Sequence, residues 1–495
     1  MQIEQIVKEL ICYAELHLDL DKEDAVYFEN ILLKAVGKPA PFEGKIDVKR
    51  IEGEKVPDRY MDALIEHFVS MGKDEGEAER EATYLMGLLT PPPSQVKLKF
   101  NALEKVSPEL ATTYLYELSI ANNYIAKTKV DRNIVYDATF DDGPALEISI
   151  NLSKPEKNNK DIAKLVGAVS TSYPKCLLCY ENEGFAGNPK HPARGNIRVI
   201  PMQLDDETWY LQYSPYVYYD RHCIVFAKEH SPMEISRKNM SKLFAFVERF
   251  PHFFVGSNAD LPIVGGSILD HEHFQGGAHP MPLLSAPIRR DIPVSNPRVK
   301  AHVLEFYNTV LRLDGENKED LLDMAEKILE KWRGYDDKKR DIISHEGKTR
   351  HNTITPIVRK VGNEFQLFLI LRNNGCNEQY PTGIFHAHPE YAHIKHEGIG
   401  LIEAAGLFIL PARLKRQSAL VEELIQKGVK KEDYLKDHPD LEGFDDMFKE
   451  MQEKGISARE YIAGVCQNIL RNVAVFKNDE DGQVGLNLFL KECKL

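Results

Sequence analysis

The chain has 495 residues, of which 43% are hydrophobic and 28% are charged, as is ordinary for a protein that folds in water. This length exceeds one ordinary hydrophobic core, so we expect two or three domains. The formal net charge of −13, from 63 basic and 76 acidic residues, argues against a surface that binds nucleic acid.

The amino-terminal sequence MQIEQIVKELICYAELHLDL is amphipathic and acidic, which is not typical of a signal peptide. No apolar run approaches the ~18 residues that a membrane span needs. The seven cysteines are irregularly spaced and odd in number, which favours a reducing compartment and makes metal ligands more typical than disulfides. We therefore expect a cytoplasmic protein with no membrane partner.

Residues 1–135 are predicted to be helical. Asp21 is a suitable N-cap for an early helix. Three prolines and a serine at 91–94 predict a break and a linker. Ser107 followed by Pro108 predicts another helix start, with serine as the cap and proline in the first turn.

From about residue 140 to 410, alternating apolar residues rich in β-branched and aromatic types predict short strands. The predicted strands lie at 145–152, 196–202, 208–213, 222–228, 252–257, 267–275, 353–360, 364–371 and 383–390. The predicted helices of this region lie at 237–250, 298–312 and 318–333. After residue 410 the chain is predicted to be helical and charged again.

Cys176 and Cys179 form a CxxC pair, which in a reducing compartment is either half of a zinc site or a redox motif. A redox motif would normally open a helix after a strand, whereas the residues after Cys179 are typical of a loop. This favours the metal. Zinc then needs two further ligands, for which His230 and His271 are the candidates. The alternative is a pair of thiols that bind no metal.

The segment GGSILDHEHFQGG at 265–277 carries two histidines and a glutamine at alternate positions. In a strand, His271, His273 and Gln275 would point to one face. A neutral imidazole is a competent nucleophile near pH 7, and its attack on phosphorus would divide one transfer into two displacements. We predict His273 as the nucleophile and Gln275 as an amide that holds a phosphoryl oxygen. The alternative is a histidine that merely lies beside a metal.

Gly265, Gly266 and Ser267 open the same segment. Glycines let backbone N–H groups approach an anion, so this stretch is predicted to bind phosphate oxygens. The alternative is a tight turn. Asn258, at the end of the preceding predicted strand, is a further candidate for binding nucleotide or phosphate, although asparagine also simply favours turns.

A second group of histidines comprises His386, His388, His393 and His396, with His351 upstream. The predicted strand before this group repeats the order of a strand followed by His-x-His, which suggests a duplicated unit. The group is either a decayed second site, a metal site or a set of structural histidines.

Together these motifs resemble those of a known family. The pattern His-x-His-x-Gln is similar to the transferase branch of the histidine-triad superfamily. The segments CLLCYENEGFAGNPKHPARGNIRVIP, SNADLPIVGGSILDHEHFQGG and IFHAHPEYAHIKHEGIGLIEAAGLFILP look like the galactose-1-phosphate uridylyltransferase family in its long, type 2 bacterial form. The resemblance covers nearly the whole chain.

The resemblance implies an α+β fold in which an antiparallel, histidine-triad-like sheet unit is duplicated between helical extensions. The expected division is 1–135 for the helical N-terminal extension, 136–290 for the first half with CxxC and HEHFQ, 291–410 for the second half and 411–495 for a C-terminal helical region.

The resemblance also implies an activity. The family exchanges UMP between UDP-glucose and galactose 1-phosphate, giving glucose 1-phosphate and UDP-galactose. The second histidine of its motif, here His273, becomes uridylylated, and its glutamine, here Gln275, steadies the phosphoryl oxygens. The glutamate that contacts the sugar in this family corresponds to Glu403. Members are usually homodimers, so a homodimer is expected.

The better-known members hold a structural zinc. Its ligands there match a set that the spacing also favours: Cys176, Cys179, His230 and His271. A second metal in those members uses a downstream glutamate and histidines of the later repeat. Arg289 stands where that glutamate is expected, so a second metal is left open. Glu272 also departs from the family, which carries proline between the two motif histidines.

Two other functions fit part of the sequence. The first is another nucleotidyl transferase or a phosphorylase of the same superfamily. The second is a non-catalytic, zinc-stabilised nucleotide-binding protein. A glutamine gives no proton to a leaving group, whereas a third histidine would suit a hydrolase. Gln275 therefore favours transfer over hydrolysis.

Overall fold

A computed structural model describes residues 2–153, 172–429, 435 and 437–495. The chain divides into two compact units, Met1–Arg132 with Pro155–His230 and Asn133–Lys154 with Ser231–Leu495. Among the residues so described, no helix combines the length and the apolar character needed to cross a membrane.

The helices of the described ranges are α1 (Ile3–His17), α2 (Ala25–Ala35), α3 (Val48–Gly53), α4 (Asp58–Ser70), α5 (Glu75–Leu89), α6 (Pro93–Glu104), α7 (Pro108–Ala121), α8 (Lys127–Val130), α9 (Arg237–Arg249), α10 (Lys318–Arg333), α11 (Leu401–Ala404), α12 (Arg413–Gln426), α13 (Asp445–Lys454), α14 (Ala458–Val473) and α15 (Glu480–Cys493). The strands are β1 (Ile134–Phe140), β2 (Gly143–Asn151), β3 (Ile200–Leu204), β4 (Glu207–Tyr213), β5 (Cys223–Ala227), β6 (Phe254–Ser257), β7 (His273–Gly277), β8 (Ile288–Ile292), β9 (Lys300–Leu304), β10 (Val310–Gly315), β11 (His345–Glu346), β12 (Thr349–Arg350), β13 (Asn352–Val361), β14 (Glu364–Asn373) and β15 (Leu407–Pro411).

The first unit contains α1–α8 and the antiparallel strands β3, β4 and β5, in that order. The helix start predicted at Ser107 is confirmed, because its hydroxyl accepts the N–H of Glu109 at 3.2 Å. Asp21 caps a short 3₁₀ turn just before α2. The linker predicted at 91–94 is wrong in part. Helix α6 begins at Pro93. Proline is tolerated there because the N–H groups of the first helical turn have no hydrogen-bond partner within the helix.

Arg198 is a buried residue of the first unit that bonds to backbone carbonyls. Carbonyl oxygens at the end of a helix have no partner within that helix. The Arg198 guanidinium donates at 2.6–3.2 Å to carbonyls at the end of α5 and just before itself, namely those of Gly87, Thr90, Pro91, Gly195 and Ile197. Burial lowers the pKa of Arg198, and these carbonyl dipoles help to hold its charge.

Replacing Arg198 with methionine should therefore destabilise the first unit. The substitution keeps an apolar stem but leaves several buried carbonyls without a donor, at an expected cost of about 3 kcal/mol. Chemical denaturation measures the change. Arg132→Met, at an exposed arginine of the same unit, is the control and should change the free energy of unfolding little. Equal stabilities for the two variants would contradict this role.

The second unit has a sheet with strands in the order β7-β6-β13-β14-β10-β9-β8, every neighbouring pair antiparallel. A smaller sheet has the order β1-β2-β15, in which β15 runs parallel to β2. Helices α9 and α10 pack against β13, and α15 packs against α10. The predicted α+β class, with antiparallel sheets between helical N- and C-terminal regions, is confirmed.

The helix predicted at 298–312 is wrong, because this range forms β9 and part of β10. Apolar residues at Val303, Phe306, Tyr307 and Val310 follow the spacing of a helical stripe. Pairing of β9 with β10, and of β10 with β14, overrides that local pattern. The helix predicted at 318–333 is confirmed at both ends.

Two strand predictions near the histidines also need correction. Residues 383–390 form turns and the start of a 3₁₀ turn, with Gly383 at φ +118°, a backbone angle outside the strand region. The strand predicted at 267–275 begins only at His273. Strand β7, which carries His273, pairs with β6. The corresponding pair in the later half is β14 with β13, but β14 contains no histidine. His386 and His388 lie beyond it.

Candidate active site and metal centre

His273 and Gln275 lie on one face of β7. The strand begins at His273 and pairs with β6, with Gln275 opposite Gly256. Because side chains alternate along a strand, His273 and Gln275 point to the same side and Phe274 to the other. His273 is buried, whereas Gln275 is half-buried. His271 precedes the strand, so its direction does not follow from the alternation.

The imidazole of His273 is held in one protonation state. Its Nδ1 lies 2.8 Å from the carbonyl oxygen of His271. A carbonyl oxygen only accepts, so Nδ1 carries the hydrogen and Nε2 keeps its lone pair. Burial lowers the pKa of His273 to about 4, so the ring is neutral near pH 7. A neutral ring with an available Nε2 lone pair is the form that can attack phosphorus.

Glu272, between the two motif histidines, has a backbone role that proline could not fill. Its N–H donates to the carbonyl of Ser231 at 2.7 Å, and proline has no N–H. Its buried carboxylate accepts a hydrogen bond from the side-chain amide of Asn239 on α9. Glu272, where the family carries proline, thus makes two hydrogen bonds that hold the backbone just before β7.

Asn258, Gly265 and Gly266 come together in the loop between β6 and β7. A Cβ on Gly266 would lie 2.6 Å from Nδ2 of Asn258, and one on Gly265 would lie 2.6 Å from the carbonyl oxygen of Ala259. Neither position therefore has space for a side chain. Asn258 is buried, and its Oδ1 accepts the N–H of Leu401 at 2.8 Å. Ser267 lies exposed just beyond the glycines.

Replacing Gly265 with alanine should distort this loop, because the new Cβ would meet two backbone oxygens closer than 3 Å. We expect a loss of about 2 kcal/mol in the free energy of unfolding, together with lower activity. Gly464→Ala on α14 is the control, since an added Cβ there meets no atom within 4 Å. That change should stabilise the helix by about 0.5–1 kcal/mol. Thermal denaturation of both variants tests the contrast, and an unaffected Gly265→Ala would contradict it.

Asp260 is a site residue that the sequence did not reveal. Its carboxylate accepts from the Thr353 hydroxyl at 2.5 Å, from Arg350 at 2.7 Å and from the N–H of Ile235 at 3.1 Å. These contacts fix the loop that carries Asn258. The partners lie up to 93 residues away along the chain, so no local pattern could have indicated them.

Glu403 is buried on α11 and forms an ion pair. Its carboxylate lies 2.9 Å from Nζ of Lys395 and also accepts the N–H of Gly400 at 3.3 Å. Burial by itself would lower the pKa of Lys395, but the neighbouring Glu403 carboxylate outweighs it and the pKa is raised. Lys395 is therefore charged near pH 7.

The thiols of the CxxC pair lie beside an imidazole. Cys176 Sγ is 3.7 Å from Cys179 Sγ, which is 3.3 Å from Nδ1 of His230. Tetrahedral zinc, with bonds of about 2.3 Å to sulfur and 2.0 Å to nitrogen, separates its ligand atoms by about 3.5–3.8 Å. These distances therefore fit one metal ion. His271, which is buried, is the fourth member of this group of possible ligands.

The loop of the CxxC pair is supported by Asn182. Its amide donates to the carbonyls of Cys176 at 2.9 Å and Cys179 at 2.7 Å, and its oxygen lies 2.5 Å from Nε2 of His191. Burial raises the pKa of the Cys176 thiol to about 12, so a cation would be needed to hold it as thiolate. Asn182 is thus an orienting residue that the CxxC motif did not reveal.

Comparison with known proteins places the chain in a family. A family model described as "Galactose-1-phosphate uridyl transferase, N-terminal domain" matches residues 49–232, and its C-terminal counterpart matches residues 246–436. Together they cover more than half of the chain. The chain belongs to the galactose-1-phosphate uridyl transferase family.

Curated relatives of the chain carry the name of the same family. A protein of Clostridium acetobutylicum named galactose-1-phosphate uridylyltransferase is 45% identical over 83% of this chain and 85% of its own length. One of the same name from Caldanaerobacter subterraneus is 40% identical over 95% of this chain and 94% of its own. Among solved structures, yeast Ap4A phosphorylase Apa2 matches 62% of this chain and 88% of its own, with a TM-score of 0.34 and 11% identity. That score is too low to support an inference.

Proposed function

We propose that this protein transfers UMP between UDP-glucose and galactose 1-phosphate, giving glucose 1-phosphate and UDP-galactose. The observation that carries the proposal is His273, a buried neutral imidazole whose Nδ1–H is bonded to the His271 carbonyl. The resulting Nε2 lone pair suits a double displacement through a uridylyl-histidine. Membership of the galactose-1-phosphate uridyl transferase family supports the choice of substrates.

In the first displacement, Nε2 of His273 attacks the α-phosphorus of UDP-glucose. A nitrogen–phosphorus bond forms, and the bond from that phosphorus to the bridging oxygen breaks. Glucose 1-phosphate leaves with the electron pair. The ring now carries a positive charge, which the hydrogen bond from Nδ1 to the His271 carbonyl stabilises.

In the second displacement, a phosphate oxygen of galactose 1-phosphate attacks the same phosphorus. The nitrogen–phosphorus bond breaks, its electrons return to Nε2, and UDP-galactose leaves. Neither displacement requires a proton, which suits the neutral amide of Gln275 beside the nucleophile. Both exchange one phosphate ester for another of similar energy, so water must be excluded to protect the intermediate.

The remaining site residues are proposed to bind substrate. Gln275 would steady the phosphoryl oxygens, and the backbone at Gly265 and Gly266, with Ser267, would donate to phosphate. Asn258 would bind nucleotide through its Nδ2, since its Oδ1 already accepts from Leu401. Glu403 would accept a sugar hydroxyl while it keeps its pairing with Lys395.

We also propose one structural zinc. The ligands would be Cys176, Cys179, His230 and His271, a donor set that zinc prefers, and the distances from Cys179 to Cys176 and to His230 fit zinc. Zinc would stabilise the CxxC loop and the segment that carries His271, and no reaction step would pass through it.

Further proposals concern organisation. We propose a division of the chain at residues 135, 290 and 410, with the antiparallel pair β6–β7 in the first half and the antiparallel pair β13–β14 in the second. We propose a homodimer, as in the family. We propose a cytoplasmic location, because an odd number of irregularly spaced cysteines favours a reducing compartment.

The test of the function is product formation. The purified protein is incubated with UDP-glucose and either galactose 1-phosphate or inorganic phosphate, and nucleotide sugars are separated by chromatography. UDP-galactose formed only with galactose 1-phosphate is the expected result. Product formed only with phosphate would replace the proposal with a phosphorylase, and no product from a folded protein would favour a binding protein.

A further inference from the structure

A short segment, residues 398–403, lies over the sheet face that carries Gln275, and we name it the strap. Gly256 pairs with Gln275 in the sheet. A Cβ on Gly256 would lie 2.5 Å from Cδ1 of Leu401 in the strap. The strap side chain therefore packs on bare backbone directly beside Gln275. The position of the strap determines the space that a substrate has at this face.

Side chains from outside the strap hold its backbone. The N–H of Ile399 donates to Nε2 of His386 at 3.0 Å, and the carbonyl of Ile399 accepts from Arg372 at 2.7 Å. The N–H of Leu401 donates to Oδ1 of Asn258 at 2.8 Å. Hydrogen bonds from side chains thus hold both the N–H and the carbonyl of Ile399. The N–H of Leu401 is held by Asn258, a residue of the candidate site.

Arg372 lies on the same sheet face as Gln275. Residues that pair directly across strands share a face, and Gln275, Gly256, Ile357 and Phe368 form one such row. Arg372 is four residues beyond Phe368 on β14, so it shares that face. It is fully buried and has no carboxylate within ion-pair distance in the described residues. Such a charge is costly to bury, which indicates a specific role.

His386 is neutral, and neither of its ring nitrogens offers a free lone pair to a metal: Nε2 accepts a hydrogen bond, and the buried Nδ1 has no hydrogen-bond partner among the described residues. Because Nε2 accepts from the backbone N–H of Ile399, Nδ1 must carry the hydrogen of the neutral ring. Burial, together with the nearby Arg372 charge, lowers the pKa of His386 to about 4. A metal would have to take the Nε2 lone pair and release Ile399.

His388 is also engaged in other contacts. Its Nε2 donates to the carbonyl of Ile384 at 3.0 Å, and its ring stacks on Tyr380 with centroids 3.8 Å apart. Among the residues that the structure describes, neither His386 nor His388 belongs to a group of three or more possible metal ligands. The later histidine pair therefore does not fit the second metal centre that the family resemblance raised.

We propose that Arg372 and His386 are positioning residues that clamp the strap through Ile399, and that the later histidine pair binds no metal. The clamp fixes Leu401 over the face of Gln275 and keeps Asn258 in place. The expected effect on kcat rests on the proposed function. The expected metal content and the expected rate of hydrogen–deuterium exchange do not.

The test uses two matched pairs of variants. His386→Gln keeps an oxygen acceptor close to the position of Nε2, and His386→Leu removes it. Arg372→Lys keeps a donor, and Arg372→Met removes it. His396→Leu, at an exposed histidine of the same group, is the control. Each protein is assayed for kcat and KM, for metal per chain, and for hydrogen–deuterium exchange of the peptide that contains the strap.

We expect one metal per chain in the wild type and in every variant. His386→Leu and Arg372→Met should lower kcat by roughly tenfold to a hundredfold, leave KM nearly unchanged and accelerate exchange in the strap. His386→Gln and Arg372→Lys should recover most of both losses, and His396→Leu should behave as wild type.

Two results would overturn the inference. One is a second metal in the wild type that both His386 variants lose. The other is wild-type exchange and wild-type kcat in His386→Leu and Arg372→Met. If the wild type transfers no UMP at all, the proposed function fails, while metal content and exchange still decide the clamp.

Discussion

Replacing His273 with alanine is expected to abolish UMP transfer while the protein stays folded. The change removes the nitrogen that would form the bond to phosphorus, and no other described imidazole shares its face of β7. Loss of a nucleophile costs roughly 10⁴-fold or more in rate. The change removes one imidazole at the first residue of β7 and leaves the strand pairing intact, so the melting temperature should fall only moderately. Initial rates with UDP-glucose and galactose 1-phosphate measure the loss.

His345→Ala is the matched control, because His345 is an exposed histidine of the second unit. It should retain the wild-type rate. A His273→Ala protein that still turns over at a rate near wild type would show that the nucleophile lies elsewhere.

Replacing Cys179 with serine is expected to remove the metal and to destabilise the first unit. Cys179 is buried and contacts both Cys176 and His230, and a serine hydroxyl is a poor zinc ligand. Zinc binding contributes directly to folding free energy, so we expect a loss of about 3 kcal/mol or more. Transfer should also fall, because the proposed ligand His271 accepts the hydrogen bond that orients His273.

Cys376→Ser, at an exposed thiol, is the control and should keep both metal and stability. Metal content by elemental analysis and unfolding by denaturant are the measurements. A wild type without zinc, or a Cys179→Ser protein with unchanged metal and stability, would contradict the centre.

Local signals were sufficient for some elements. Helix α10 follows Asn317, whose side chain accepts from the first turn, and ends at Arg333 just before a glycine. Strand β13 is rich in β-branched residues, β14 is mostly apolar, and a tight turn that contains Gly362 joins them. Such elements carry their own start and stop signals, so the sequence was enough to place them.

The candidate site shows the same division between local and distant causes. His273 and Gln275 were predicted as site residues from spacing within one motif, and the CxxC pair in the same way. Asp260 and Arg372 were missed because their partners lie on strands and loops far along the chain. No pattern within a short window indicates such contacts. The role of His386 was left open for the same reason, since its partner Ile399 belongs to a segment without a motif.

The most direct test of the central claim is covalent labelling by UDP-glucose alone. The protein is mixed with UDP-glucose, quenched at alkaline pH, digested and analysed by mass spectrometry. We expect one added UMP on the peptide that contains His273, its removal by galactose 1-phosphate, and no label in His273→Ala. A folded, active protein that is never labelled there, or that carries UMP on another residue, would contradict it.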